Sequence, residues 1–171
     1  GPWIVIILGL IGFTSLFIAP EKGWLFKRKR ALENRSKTNR ENIMKLMYRQ
    51  EEKCGTGNKL SIPQILSIRA MREDALRVGL KDLKKRLWII EHIEGFTLTD
   101  LGRIEGRRVV RLHRLWELYL TERLGMAPDH IHPQAETMEH VITPEIEALL
   151  IKELGVPERD PHESLIPYEN E

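Results

Sequence analysis

Glu136, Glu139 and His140 stand at positions i, i+3 and i+4. On a helix these side chains share one face, close enough to hold one ion. His113 and Glu117 make a second i, i+4 pair, and His132 lies just ahead of the helix expected to carry Glu136. Carboxylate with imidazole is the ligand set that suits divalent Mn, Fe or Zn. A plainer reading stands beside it. Glu and His on a helix are as a rule solvated, and an Arg- and Glu-rich helix carries salt bridges. No compact motif of the H-E-x-x-H kind is present, so spacing alone leaves both readings open.

The elements that must position these residues come from the rest of the chain. Its 171 residues leave room for one or two small domains. The net charge is only +2, so the distribution of charge is more informative than its sum. Lys22, Lys27, Arg28, Lys29, Arg30, Arg35, Lys37 and Arg40 crowd one stretch, and the tail after Lys152 is acidic. A single cysteine, Cys54 in the turn CGTGN, rules out an intrachain disulfide and fits a reducing compartment. The chain opens on Gly1 rather than Met, so a fragment or a processed chain is expected.

Trp3 to Ala19 reads WIVIILGLIGFTSLFIA, with Thr14 and Ser15 its polar residues. This predicts a transmembrane helix over 1–20, at the short end of the roughly 17–25 residues that span a bilayer. Trp3 and Trp24 flank it where interfacial aromatics belong. A signal peptide fits poorly, because no basic segment precedes the apolar run. A buried soluble helix is opposed by the basic flank on one side. The basic run places residues after about 21 in the cytoplasm, with the span in the plasma (inner) membrane. Residues 21–37 read as a juxtamembrane linker whose Lys and Arg meet anionic headgroups, each worth about 1 kcal/mol. Nucleic-acid contact is the alternative.

Residues 38–99 read as a winged helix-turn-helix. Thr38 and Glu41 form a capping box ahead of Ile43, Leu46 and Met47; Ser61 and Gln64 form a second, ahead of Ile62, Ile65 and Leu66. A third helix is expected from about Arg72 to Arg86, with Leu76, Leu80 and Leu83 on one side. WIIEHIEGFTLT then predicts a β-hairpin wing around Glu94-Gly95. Arg72, Arg77, Lys81, Lys84 and Lys85 offer contacts to DNA phosphates. Glu73 and Asp74, at the N-terminus of that helix, stabilise its dipole but repel a phosphate backbone. Residues 100–167 read as an α-helical domain: a long helix from about Asp100 to Arg123, then one capped by Thr143-Pro144 and stopped by Gly155 and Pro157, before a tail at 168–171. Leu115, Trp116, Tyr119 and Leu120 form a stripe suited to a core or dimer interface. There is no phosphate loop, nucleophile elbow or catalytic metal motif, so no enzyme is expected.

RLHRLWELYL, HIHPQAETMEH and DPHESLIP follow one another, preceded by FTLTDLGR. This order resembles the iron- and manganese-dependent repressors, the diphtheria toxin repressor family. The resemblance implies a mainly α fold: a winged helix followed by a metal-binding domain that makes a homodimer. It implies a main metal site of Glu136, Glu139 and His140, completed from the first winged-domain helix. Aligning on Tyr48 puts Asn42 and Lys45 there. Asn42 offers a carbonyl oxygen; Lys45 would have to lose its proton to bind metal, and is expected to point away or replace a charge. His113, Glu117 and His132 match the ancillary site, and Glu163 stands where the family has Gly. The first 25 or so residues, GPWIVIILGLIGFTSLFIAPEKGWL, resemble the last transmembrane helix of metal-uptake ABC permeases. Together these imply the C-terminal part of a divalent-metal ABC transporter permease carrying a metal-sensing, dimerising domain, with transporter subunits as partners. The alternative is a membrane-anchored, metal-dependent transcriptional repressor binding double-stranded DNA. In either case the ion is expected to bridge the first helix of the winged domain to the Glu136–His140 segment.

Overall fold

The computed structural model describes residues 1–18, 24–127, 131, 135, 136, 138 and 140–168, and the side chains of all of these except 11–18. It divides into two compact units, Gly1–Thr38 and Asn39–Glu171.

In the first unit, α1 (Pro2–Ile18) takes up the apolar run, with its described side chains exposed. No helix among the described residues is long and apolar enough to cross a membrane. The expected span over 1–20 also reaches into residues outside the described ones. The linker expected over 21–37 is helical from Trp24 onward, because α2 runs from Trp24 to Cys54. No Gly or Pro interrupts that stretch. Arg28 lies over the Trp24 ring at 5.2 Å and Lys29 pairs with Glu33 at 3.8 Å. Thr38 and Glu41 therefore sit within a helix, and the helix start expected there is absent.

The second unit begins with the buried part of α2. Ile43, Met44 and Met47 pack against α3 (Ile62–Ile68) and α4 (Glu73–Lys85) through Ile65, Leu76 and Leu83. Gln64 Oε1 accepts from the Ser61 N–H at 2.8 Å, fixing the start of α3. The hairpin β1 (Ile89–His92) and β2 (Gly95–Leu98) pairs antiparallel, Ile89 opposite Leu98 and His92 opposite Gly95. Leu60 adds a bridge to Phe96. At Gly95, φ is +150° and a Cβ would meet the Leu60 carbonyl at 2.6 Å, so only glycine lets this backbone approach. Three helices and a hairpin give the winged-helix arrangement.

Next, α5 (Asp100–Leu124) starts at Thr99, whose Oγ1 accepts from the Gly102 N–H at 3.0 Å. It passes α2 at Gly106, where a Cβ would stand 2.9 Å from that of Tyr48. This contact sets the separation of the two helices that carry the site. Beyond it, Leu112 packs with Ile142 and with Leu150 of the helix that follows it, α6 (Pro144–Leu154), flanked by Trp116 and Tyr119, whose rings stack at 5.3 Å. Leu115 and Leu118 meet Ile166. Of the stripe read from the sequence, Leu115 and Leu120 are buried, and Trp116 and Tyr119 are half-buried beside the core. Thr143 caps α6 and Gly155 ends it in the left-handed conformation.

The last loop is anchored by Asp160, whose Oδ1 accepts from the His162 and Ser164 N–H groups at 2.8 and 2.9 Å. Glu163 has φ +63°, the left-handed region that favours glycine.

Two substitutions test these backbone constraints by denaturant midpoint. Gly102→Ala gains about 1 kcal/mol of helix preference. Its Cβ, however, would fall 1.9 Å from the Trp88 carbonyl oxygen. A net loss of about 2 kcal/mol or more is expected. Glu163→Gly relieves about 1–2 kcal/mol of left-handed cost and loses about 0.4–1 kcal/mol to unfolded-chain freedom. It should be neutral to about 1 kcal/mol stabilising.

Candidate metal centre

Val110, His113, Arg114 and Glu117 recur at helical spacing along α5 and are all buried. His113 Nε2 lies 3.0 Å from Glu117 Oε1. Its Nδ1 faces the Lys45 ammonium of α2 at 3.4 Å. An ammonium has hydrogens and no lone pair, so Nδ1 must accept. Nε2 then carries the ring proton, near Glu117 Oε1 but not hydrogen-bonded to it.

Lys45 also lies 3.6 Å from Glu136 Oε1, with its side chain 3% exposed. Arg69, at the end of α3, grips the same carboxylate with two N–H groups at 2.9 and 3.4 Å. Burial pushes the Glu136 carboxyl up. The Arg69 hydrogen bond and the Lys45 and Arg69 charges outweigh it and hold the group below the ordinary glutamate value.

One turn before Lys45, the buried Glu41 places Oε2 2.7 Å from His140 Nδ1 and accepts from Arg108 on Oε1 at 2.9 Å. Burial pulls the Arg108 guanidinium down, but the Glu105 and Glu41 carboxylates raise it above its usual value. Farther along α2, Arg114 donates to Glu52 at 2.8 and 2.9 Å and to the Leu165 carbonyl at 2.6 Å.

The structure thus places Glu136 and His140 with different partners. Ala135, Glu136 and Met138 are helical while His140 lies in a turn, so the spacing that puts i and i+4 on one face does not extend to it. Glu139 and His132 lie outside the described residues. Asn42 Oδ1 is buried and accepts no hydrogen bond from any described residue. Glu41, Arg69 and Arg108 are site residues that the sequence reading missed. Glu41 and Lys45 at i, i+4 beside an apolar stripe were the available signal, obscured by reading Glu41 as a capping residue.

Among the described residues, no three His, Cys, Asp or Glu side chains converge as a metal cage. At the His140 end the donors suit a divalent ion in one respect: the imidazole is held through one nitrogen by a carboxylate, the way ligating imidazoles are oriented. At the Glu136–His113 end they do not fit. A divalent ion on those atoms would stand about 4 Å from the ammonium and be repelled by roughly 8 kcal/mol at an effective dielectric near 20.

The expected DNA-contacting residues lie on or beside α4 and are exposed. Arg72 pairs with Asp74 at 2.6 Å, Arg77 with Glu73 at 2.6 Å and Lys84 with Glu91 at 2.5 Å. Exposed pairs of this kind are worth at most about 1 kcal/mol each and yield readily to a stronger anion.

Residues 99–168 match the family model described as iron dependent repressor, metal binding and dimerisation domain. The chain is 30% identical over 177 residues to a probable metal transport system membrane protein of Chlamydia trachomatis, covering 98% of this chain and 38% of that one. It is 33% identical over 81 residues to the diphtheria toxin repressor of Corynebacterium diphtheriae, covering 47% of this chain and 36% of that one. The fold is similar to that of the manganese regulator SloR, with a TM-score of 0.68 and 28% identity over 77% of this chain and 60% of that one. The chain therefore spans less than two thirds of each of these relatives. They are a transport-system protein, a repressor and a regulator.

Glu41→Ala removes the carboxylate that meets His140 Nδ1 and accepts from Arg108. A loss of about 2–3 kcal/mol in urea unfolding is expected, at the low end for a broken buried pair because Arg108 is partly exposed. Glu41→Gln, which keeps an acceptor oxygen, should cost less than half as much.

Proposed function

We propose that this chain, whose residues 99–168 match the iron dependent repressor metal binding and dimerisation model, is the C-terminal part of a divalent-metal ABC transporter permease with a metal-sensing cytosolic domain. The similarity of 98% of the chain to a metal transport system membrane protein carries this reading, because one alignment takes in both the apolar start and the repressor-type end. α1 would close the membrane part and the basic start of α2 would lie against anionic headgroups on the cytoplasmic side. α5 and α6 would pair two copies.

A transition-metal ion would be held at the His140 end by His140, Glu139 and Asn42, with Glu41 orienting the imidazole. Bound there, it supplies a strong local positive charge and acts as a signal rather than a reactant. The chain's own part is to present a neutral imidazole and ionised carboxylate, so affinity should fall at acid pH. Glu136 is taken by Lys45 and Arg69, and His113 and Glu117 by each other, which weakens the ancillary set expected with His132.

The second reading, a membrane-anchored repressor, draws on the exposed basic side chains of α4 in a winged-helix setting. The neighbouring acids at Glu73 and Asp74 favour the transporter reading.

Calorimetric titration with Mn(II), Fe(II) and Zn(II), beside a Glu139→Ala/His140→Ala variant, decides the metal. One ion bound by the parent and lost in the variant is the expected result. No binding by the parent would leave dimerisation as the role of the domain. Fluorescence anisotropy with duplex DNA tests the second reading, which requires metal-dependent binding that Arg77→Ala and Lys81→Ala weaken.

A further inference from the structure

Lys45 is a lysine almost wholly withdrawn from water. Such lysines are rare unless paired. Here the ammonium is bounded by an imidazole nitrogen at 3.4 Å and a carboxylate oxygen at 3.6 Å. Imidazole with carboxylate is the donor set of a transition-metal cation. The groups come from separate parts of the second unit: Lys45 from α2, His113 from α5, and Glu136 from the segment that follows, which Arg69 at the end of α3 also holds. Lys45 lines both a cleft of about 260 Å³, which includes Arg69 and Glu136, and a pocket of about 100 Å³, which includes His113 and Glu117.

We propose that the Lys45 ammonium is a built-in cation that takes the place of an inorganic ion between His113 and Glu136. It joins the first winged-domain helix to the α-helical domain with no metal bound. Any response to metal is confined to the His140 end, and the docking of α2 does not wait for it. This inference goes beyond the proposed function and stands whether or not His140 ligates an ion.

The two accounts differ in what metal does to α2. If an ion makes the joint, α2 is loose without it. If Lys45 makes the joint, α2 is held in chelator, and only a residue that gives the position back to a cation makes it metal-dependent. Lys45→Met keeps the length of the stem and removes the charge. Lys45→Glu sets a carboxylate against Glu136 and creates an anionic pocket.

Hydrogen–deuterium exchange of the 43–47 amides, measured on the full chain in EDTA and in Mn(II), reads the difference. The parent should exchange at the same slow rate in both. Lys45→Met should exchange at least about ten-fold faster in EDTA, with Mn(II) bringing no recovery, as expected when a buried ionic partner is removed. Lys45→Glu should exchange faster still in EDTA and return toward the parent rate in Mn(II). Ten-fold protection of the parent by Mn(II) would overturn the proposal, as would parent-like exchange in Lys45→Met. Failure of Mn(II) to restore a folded Lys45→Glu chain would show that the ammonium does not stand in a cation's place. Should Lys45→Glu fail to fold in either condition, the parent and Lys45→Met arms still decide the matter.

Discussion

The second unit depends on burying charge along the contact of α2 with α5. Glu41, Lys45, Glu51 and Glu52 of α2 meet Arg108, His113, Arg103 and Arg114 of α5. Buried ion pairs gain little net stability over an apolar filling, because desolvation offsets most of the Coulomb attraction. Their effect is on alternatives: a slip of one helix past the other would strand several charges at once, each at a cost of several kcal/mol. The apolar residues bring these helices together, and the ionic pairs select one register among the ways they could pack. Glu136 and His140 are then placed by what α2 offers them rather than by their own spacing.

This explains which features were readable from the sequence. α3, α4, the hairpin, α5 and α6 are marked by local signals: Ser61 with Gln64, the turn at Gly95, Thr99 and Thr143 as caps, and Gly155 as a stop. Such signals are short-range, and the structure follows them. The reading failed at Thr38, because the pattern Thr-x-x-Glu marks a helix start only if the chain before it is not already helical. From Trp24 onward nothing breaks the helix, so Glu41 was free to become a buried partner of His140 and Arg108. The different partners of Glu136 and His140 have a related reason. Sequence spacing tells where side chains point along one element, not which residue of another element arrives to meet them. Lys45 lies against Glu136 and His113, two partners that emerge only from the packing.

The matched domain and the similar proteins place the chain among metal-handling proteins, and the local chemistry shows how this chain departs from a simple cage. Several of its described carboxylates and imidazoles are matched to arginines, to a lysine or to one another rather than left to converge on one point. A protein built this way holds its shape through its own cations, and any ion it binds acts on a frame already assembled.

The crossing at Gly106 and Tyr48 has a consequence for how such a chain can change over generations. The space there holds one ring and one hydrogen atom, so the two positions share a single fixed volume. A larger residue at 106 is tolerable only with a smaller one at 48, and the neutral path between such states runs through the small-small combination. The two positions therefore behave as one heritable unit, although they stand 58 positions apart in the sequence.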